Sequence, residues 1–68
     1  MTSRVKETRK GKGIKQETMA QKINIGLTSY QRYENGLRIP NVYVAQKIAN
    51  ALNETVAYLF PLPSETTT

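Results

Sequence analysis

The sequence predicts an all-α domain of five short helices, and two observations carry that prediction. Apolar residues recur three and four positions apart, most clearly in residues 42–52, which is the spacing of one helix face. Residues that begin or end helices separate these stretches, among them Gly36, Asn41 and Asn53. The connectors are only a few residues long, so neighbouring helices should pack into a compact unit.

Each expected helix has a recognisable start or stop. The expected ranges are 4–10, 16–23, 27–35, 42–52 and 56–60. Capping side chains should begin the first, fourth and fifth helices, namely Ser3, Asn41 and Thr55. Glycine or asparagine should end the first four, namely Gly11 with Gly13, Asn24, Gly36 and Asn53.

The expected core comes from the apolar faces of these helices. Its members are Met19, Ala20, Ile23, Ala45, Ile48, Ala49 and Leu52, with Ile14 and Ile25 joining from the connectors. Tyr30 and Tyr33 of the third helix should also pack in the core, with the hydroxyl of Tyr30 reaching a surface. Leu27 should lie exposed in the first turn of that helix.

Charge is distributed unevenly along the chain. The net charge is +5, and residues 1–38 hold nine of the ten Lys and Arg but three of the five Glu. Residues 39–68 carry Lys47 against Glu54 and Glu65, a balance of −1. An excess confined to one half favours a polyanionic partner over mere solubility, although charge alone does not choose between DNA, RNA and an anionic membrane.

The composition argues against catalysis. The chain contains no Cys, His or Asp, which removes disulfides, thiolate metal sites and the commonest metal ligand and general base. We therefore expect a protein that is not an enzyme and that holds no metal, cofactor or small-molecule ligand.

The length of 68 residues predicts one domain, over residues 1–63, with a flexible tail over residues 64–68. Residues 1–6 contain no apolar run, so no secretory signal is expected. No stretch approaches the roughly 20 apolar residues of a membrane helix. These features favour a cytoplasmic protein with no membrane partner.

The most informative stretch is an expected helix-turn-helix over about residues 16–35. Two short helices joined by a tight turn are the layout by which a small protein inserts one helix into the major groove of DNA. Residues 13–26 read Gly-Ile-Lys-Gln-Glu-Thr-Met-Ala-Gln-Lys-Ile-Asn-Ile-Gly, and residues 32–36 read Arg-Tyr-Glu-Asn-Gly. Together these stretches resemble the Xre/Cro–C1 helix-turn-helix family, which includes the lambdoid phage repressors and Cro proteins.

The resemblance covers roughly residues 4–60 and implies a compact five-helix, lambda-repressor-like DNA-binding domain. It implies that the groove-facing, base-contacting residues are Leu27, Thr28, Gln31 and Arg32. Arg32 is the best candidate for a bidentate contact with guanine. Leu27 is alternatively an ordinary exposed leucine, and Gln31 could read adenine or hold a phosphate. The resemblance also implies backbone contacts from Gln16 and Arg38, while Ser29 faces either a phosphate or the second helix.

Three positions depart from the family pattern where it would meet DNA, namely Lys15, Gly26 and Leu27, and with Thr28 and Arg32 they are expected to set the operator preference. Lys15 stands where a capping Thr or Ser is usual, and a lysine cannot cap, which costs about 1 kcal/mol. We expect Lys15 to contact phosphate, with tolerated drift as the alternative. Gly26 replaces the usual Ser cap, and the absence of a side chain should let its N–H approach a phosphate.

The resemblance also implies a structural ion pair and a dimer. Arg9 matches the first-helix arginine that pairs with Glu34 across the family's core. Specificity in the family comes from dimers on two half-sites about one helical turn apart. The expected dimer contacts are Val56, Tyr58 and Phe60, whose alternative role is to cover the monomer's own core.

The expected function is sequence-specific regulation of transcription, most simply repression of a palindromic operator by a homodimer in a bacterial cell or phage-infected host. The absence of a larger C-terminal domain favours a stand-alone Cro-type protein over a two-domain repressor, unless the chain is an excised fragment. The alternative is an antitoxin that binds a toxin and represses its own operon. A third hypothesis is an RNA-binding or general nucleoid protein.

Overall fold

The prediction of five helices is confirmed in a computed structural model of the chain, which describes residues 3–61. The helices are α1 (Val5–Gly11), α2 (Gln16–Lys22), α3 (Leu27–Glu34), α4 (Val42–Leu52) and α5 (Val56–Leu59). The expected tail over residues 64–68 lies outside the described part of the chain. None of the helices within residues 3–61 has the length and apolar character that crossing a bilayer requires.

Four helices end in the same hydrogen-bonded motif. Each is followed by one residue with positive φ: Gly13 (φ 69°), Asn24 (φ 59°), Gly36 (φ 77°) and Asn53 (φ 57°). After α2, the N–H of Ile25 donates to the carbonyl of Ala20 at 3.0 Å, and the N–H of Asn24 donates to Gln21 at 3.2 Å. This is the Schellman pattern, which satisfies carbonyls that a helix end leaves free. The glycines and asparagines therefore end the helices as predicted.

Two of the three predicted N-caps are confirmed. The Asn41 side chain accepts a hydrogen bond from the N–H of Val44 at 2.8 Å, and the Thr55 hydroxyl accepts one from Tyr58 at 3.1 Å. The prediction that Ser3 caps α1 is wrong. The helix begins at Val5, so Arg4 holds the cap position, and an arginine side chain has no acceptor with which to cap. The N–H of Arg4 donates to the carbonyl of Leu59 at 2.8 Å.

The core lies where α1, α2, α3, α4 and α5 meet. Its largest fully buried side chains are Tyr30, Met19, Ile48, Leu52, Leu59 and Val5. Ile14 and Ile25 pack against this cluster from the connectors, as predicted. Tyr33 is only partly buried and stands outside the cluster, so its predicted place in the core is wrong. Three residues beyond Tyr30, it lies about 60° around α3, on the flank rather than the buried face.

Candidate nucleic-acid interface

The turn between α2 and α3 is fixed from both sides. Asn24 adopts the left-handed conformation that reverses the chain, and Ile25 packs against the core from within the turn. Gly26 then begins α3 in an extended conformation, with φ −68° and ψ 151°. Because each residue of the turn is held by backbone geometry or packing, the orientation of α3 against α2 is fixed.

A buried carboxylate joins three helices at the base of α3. Glu34 accepts two hydrogen bonds from Arg9 of α1, from Nε at 2.8 Å and Nη2 at 3.1 Å. The Tyr30 hydroxyl donates to it at 2.7 Å, and Nε2 of Gln16 on α2 donates at 2.8 Å. A carboxylate has about four acceptor positions, and all of them are used here. We call Arg9, Gln16, Tyr30 and Glu34 the Glu34 junction.

The charges of the Glu34 junction stabilise one another. Burial alone would raise the pKa of Glu34, but hydrogen bonds from Arg9, Tyr30 and Gln16 outweigh it and hold the pKa below its ordinary value. The hydrogen bond to Glu34 raises the pKa of Arg9 despite burial. Burial, together with the hydrogen bond to the carboxylate, strongly raises the pKa of Tyr30. The ionised pair and the neutral phenol are therefore the stable forms at neutral pH.

The hydroxyl of Tyr30 does not reach a surface, which corrects the sequence prediction. Tyr30 is fully buried, and its hydroxyl ends on the Glu34 carboxylate. Sequence reasoning also missed the bond from Gln16 to Glu34. The contact between Tyr30 and Glu34 had a signal in the sequence, because side chains four residues apart on one helix are neighbours. The contact between Gln16 and Glu34 depends on how α2 packs against α3, which sequence spacing does not specify.

Gln16 connects the Glu34 junction to the outer part of α3. Its Nε2 donates inward to Glu34, and its Oε1 accepts a hydrogen bond from Nε2 of Gln31 at 3.0 Å. Gln31 is partly buried and belongs to the predicted groove-facing set. A continuous chain of hydrogen bonds thus runs from Arg9 through Glu34 and Gln16 to Gln31.

The outer face of α3 carries two exposed side chains opposite the core. Thr28 and Arg32 are exposed and lie one turn apart, on the side of the helix away from Tyr30. Leu27 is also exposed, as predicted. Ser29 is partly buried on the flank. Of the four side chains predicted to contact bases, Leu27, Thr28 and Arg32 are exposed on α3, and Gln31 on the same helix is partly buried.

Lys15 and Gly26 begin α2 and α3 without side-chain caps. Both have extended backbone, and neither makes a side-chain cap hydrogen bond. A Cβ atom added at Gly26 would meet nothing within 4 Å, and its φ of −68° suits any residue. Neither packing nor backbone conformation therefore requires glycine at this position.

Arg38 lies just beyond α3 and is exposed. Its guanidinium stacks over the ring of Tyr33, with 5.6 Å from Cζ to the ring centroid. This stacking holds the arginine at the C-terminal end of α3 and leaves its N–H donors available.

The three residues expected in a dimer contact are placed differently from one another. Phe60 is buried in the core and Val56 packs against it. Tyr58 is exposed, but Arg4 covers its ring with 4.8 Å from Cζ to the centroid and donates to its carbonyl at 3.0 Å. Two of these side chains thus cover the monomer's own core, and the third is partly engaged within the chain.

Comparison with known proteins identifies the family. A helix-turn-helix family model matches residues 5–59, which is most of the chain. The chain belongs to the helix-turn-helix family of the Xre/Cro–C1 type. Members of this family are DNA-binding regulators of transcription. The buried residues of the Glu34 junction and the exposed face of α3 all fall inside the matched range.

The chain is also similar to a bacterial regulator. It is 36% identical over 56 residues to the HTH-type transcriptional regulator ImmR of Bacillus subtilis (strain 168). The matched part covers 82% of this chain and 44% of that protein. The chain therefore spans about half the length of the curated relative that it matches.

No metal site is visible in the part of the chain that the structure describes. Residues 3–61 contain no group of three or more His, Cys, Asp or Glu side chains placed to hold an ion. The chemistry available at α2 and α3 is hydrogen bonding, positive charge and apolar contact.

Replacing Arg9 by methionine should lower the free energy of unfolding by about 3–5 kcal/mol, because the Glu34 side chain would remain buried and charged without its cation. Urea denaturation at pH 7 measures the change. The exposed neighbour Lys10→Met is the control and should change stability by less than about 0.5 kcal/mol. An Arg9→Met variant as stable as the parent would show that the ion pair does not support the fold.

Stability should decrease as the pH falls below 4.5, the ordinary glutamate value. The pKa of Glu34 is lower when folded than when unfolded, so the unfolded chain takes up this proton first. The contribution is complete above pH 4.5 and is lost as the pH falls through the folded value. Urea denaturation between pH 7 and pH 3 tests this against two variants. Glu34→Gln should reduce the acid dependence and the exposed Glu17→Gln should keep it, whereas equal acid dependence in both contradicts the prediction.

Proposed function

We propose that this protein is a sequence-specific regulator of transcription that inserts α3 into the major groove of double-stranded DNA. The proposal applies the family's activity to this chain and assigns the contacts to individual residues. It includes a homodimer on a palindromic operator and repression by occluding RNA polymerase. Such a protein would act in the cytoplasm of a bacterial cell or phage-infected host.

One observation carries the proposal: α3 is held firmly on its inner face and left free on its outer face. Glu34 fixes the inner face by accepting hydrogen bonds from side chains of α1 and α2, and Tyr30 of the same helix donates to that carboxylate. Thr28 and Arg32 stand exposed on the opposite side. Base readout requires a rigid helix with unengaged polar side chains, because the orientation of each donor selects the base.

The outer residues offer distinct contacts to base edges. Arg32 can donate two parallel hydrogen bonds to a guanine, worth about 1–3 kcal/mol of discrimination. Thr28 can hydrogen-bond a base edge or touch a thymine methyl group, and Leu27 suits apolar contact with a thymine methyl group. Gln31 is oriented by its bond to Gln16, which restricts how its amide can meet an adenine.

The N-terminal ends of α2 and α3 supply phosphate contacts around the outer face of α3. Lys15 and the free N–H groups at the start of α2 can hold one phosphate, and Gly26 lets another approach the start of α3 closely. Gln16, Ser29 and Arg38 are proposed to complete the backbone contacts. These contacts fix the register of the protein on DNA and make its affinity depend on salt.

Two copies are needed because one helix reads only a few base pairs. A two-fold dimer that places two α3 helices in successive major grooves recognises half-sites about 10 base pairs apart. The curated relative is named a transcriptional regulator, which supports regulation as the outcome of binding. Repression is the simplest consequence, since a bound dimer blocks access to overlapping promoter DNA.

Selection of binding sites from random double-stranded DNA tests the proposal directly. We expect a palindromic consensus with half-sites about 10 base pairs apart. Arg32→Gln should relax or change the preference at one position in each half-site, while Lys22→Ser should leave the consensus unchanged. A selection that yields no consensus would overturn the specific-regulator proposal in favour of general nucleic-acid binding.

Replacing Lys15 by a capping residue should change stability and DNA affinity in opposite directions. Lys15→Ser should raise the free energy of unfolding by about 1 kcal/mol, because serine caps α2 and removes a cation from its positive end. The same variant should bind the selected DNA more weakly, with the salt dependence of log K reduced by about 0.9 for each lost phosphate contact. Urea denaturation and fluorescence anisotropy at several salt concentrations measure the two effects.

The matched control for this substitution is Lys22→Ser, which removes the same charge from the other end of α2. Lys22 is the last residue of α2 and lies beside Lys47 and Asn50 of α4. This variant should lose little affinity and gain no stability, because lysine at a helix C-terminus is favourable. Equal loss of affinity in the two variants would mean that Lys15 acts only through net charge.

A further inference from the structure

An open cleft lies between the end of α2 and the second half of α4, and the proposed DNA contacts make no use of it. Its volume is about 510 Å³, which is within the range of clefts that hold small ligands. The residues that line it are Lys22, Ile23, Asn24, Lys47, Asn50 and Ala51. We call it the α2–α4 cleft.

Three side chains of the α2–α4 cleft present hydrogen-bond donors. Lys22 and Lys47 each carry an ammonium group, which donates and cannot accept. The Oδ1 of Asn50 accepts a hydrogen bond from Nε2 of Gln46 at 2.9 Å, so the free part of this amide is its Nδ2 group. No carboxylate lines the cleft, and within residues 3–61 neither lysine forms an ion pair. The cleft therefore carries two positive charges and an amide donor without an acidic partner among these residues.

The position of Lys47 is unusual for this chain. It is the only Lys or Arg among residues 39–68, and it lines the same cleft as Lys22 of another helix. Its Nζ lies 4.9 Å from the centroid of the Tyr43 ring, and this contact restricts the position of the charge. Two like charges on one cleft repel each other, and a cleft lined by one sign of charge concentrates counter-ions. The α2–α4 cleft therefore suits an anionic occupant.

The base of the cleft is apolar. Ile23 is buried in the core and Ala51 packs against that core, so the cleft offers a small aliphatic surface beside its two lysines. An occupant that matches both features carries negative charge and an aliphatic group close together. A peptide in which acidic and aliphatic residues are neighbours has both.

We propose that the α2–α4 cleft binds an acidic segment of a partner protein. Carboxylates of this segment accept hydrogen bonds from Lys22, Lys47 and the Nδ2 group of Asn50. An aliphatic side chain between them packs on Ile23. Charge-assisted hydrogen bonds are the strong ones at a protein surface, and the apolar contact adds selectivity for a peptide over a simple anion.

The cleft is less suited to nucleic acid. Single strands bind by stacking their bases on exposed aromatic rings, but Lys47 covers the one aromatic ring of α4, that of Tyr43. An aliphatic surface such as that of Ile23 and Ala51 gains nothing from a phosphate. The occupant that fits both the charge and the base of the cleft is therefore a peptide.

This inference goes beyond the proposed function, because the α2–α4 cleft shares no residue with the proposed DNA contacts. Lys22 and Lys15 lie at opposite ends of α2, about 10 Å apart along the helix axis at 1.5 Å per residue. We therefore expect the partner segment and DNA to be bound at the same time. The protein would then bring a second protein to the DNA that it occupies.

Titration with a synthetic peptide tests the inference on the free protein. The probe is a fluorescein-labelled hexapeptide in which glutamate and leucine alternate, and its control has glutamine in place of glutamate. At about 50 mM salt, where surface charges are only partly screened, the acidic peptide should bind with a Kd below about 1 mM. The glutamine peptide should bind at least about tenfold more weakly. The amide NMR signals that shift should be those of residues 22–24 and 47–51.

Substitutions then assign the contact to residues. Lys22→Ser and Lys47→Ser should each weaken binding of the acidic peptide about threefold, as expected for exposed charge pairs. Asn50→Asp should weaken it at least about tenfold, because a carboxylate replaces the donor while its oxygen still accepts from Gln46. Lys6→Ser lowers the net charge by the same amount outside the cleft and should change the Kd by less than about 1.5-fold. Circular dichroism confirms that each variant is folded.

A second titration adds the acidic peptide to protein that is already bound to its selected DNA. The Kd of the peptide should stay within about threefold of the value for the free protein, because separate sites without coupling leave each other's affinity unchanged. Displacement of the peptide by DNA would show that the peptide occupies the DNA-binding face, and it would overturn the inference.

Other results would also overturn the inference. They are the absence of peptide binding, equal binding of the acidic and glutamine peptides, and a loss of affinity in Lys6→Ser as large as that in Lys22→Ser. Tighter binding of a single-stranded oligonucleotide at the same amides would reassign the cleft to nucleic acid. Failure of the site selection to yield a consensus would overturn only the proposed function, because the peptide titration uses the protein without DNA.

Discussion

The structure depends on the saturation of one buried carboxylate. Glu34 lies at the end of α3, where the helix dipole disfavours a negative charge, and it is removed from water. Four hydrogen bonds from α1, α2 and α3 make that placement stable. Because each donor comes from a defined position on its helix, the carboxylate fixes three helices relative to one another more specifically than apolar packing alone.

The hydrogen bonds around Glu34 continue outward to a side chain on α3. Gln16 donates to Glu34 and accepts from Gln31, so the side chain of Gln31 on α3 is positioned by a network that begins at the buried carboxylate. A domain of this size has a small core and limited stability. The same few hydrogen bonds hold three helices together and orient the Gln31 side chain. The departures at Lys15 and Gly26 lie outside this network, at the starts of α2 and α3, where neither residue makes a side-chain cap.

Local features of the fold could be predicted from the sequence, and features that depend on helix packing could not. Asn41 indicated a helix start because asparagine is a favourable N-cap residue. Asn24 and Asn53 indicated helix C-terminal ends because asparagine adopts left-handed backbone more readily than most residues. Ser3 does not cap α1 because the helix begins at Val5, which leaves Arg4 in the cap position. The bond from the N–H of Arg4 to Leu59, 55 residues away in sequence, could not be read from local pattern. The family pattern implied the pairing of Arg9 with Glu34, and the four-residue spacing within α3 was a signal for the contact of Tyr30 with Glu34. The bond from Gln16 depends on how α2 packs against α3, which the sequence does not specify.

The division of α3 into an anchored face and a free face has a consequence for how such proteins change. Thr28 and Arg32 are exposed, whereas Tyr30 is fully buried and Glu34 is hydrogen-bonded to two other helices. The side chains at positions 28 and 32 can therefore be replaced by others without rearranging the buried side chains. Under the proposed function, target preference can evolve separately from the stability of the fold, and the domain offers a scaffold on which altered specificities can be engineered.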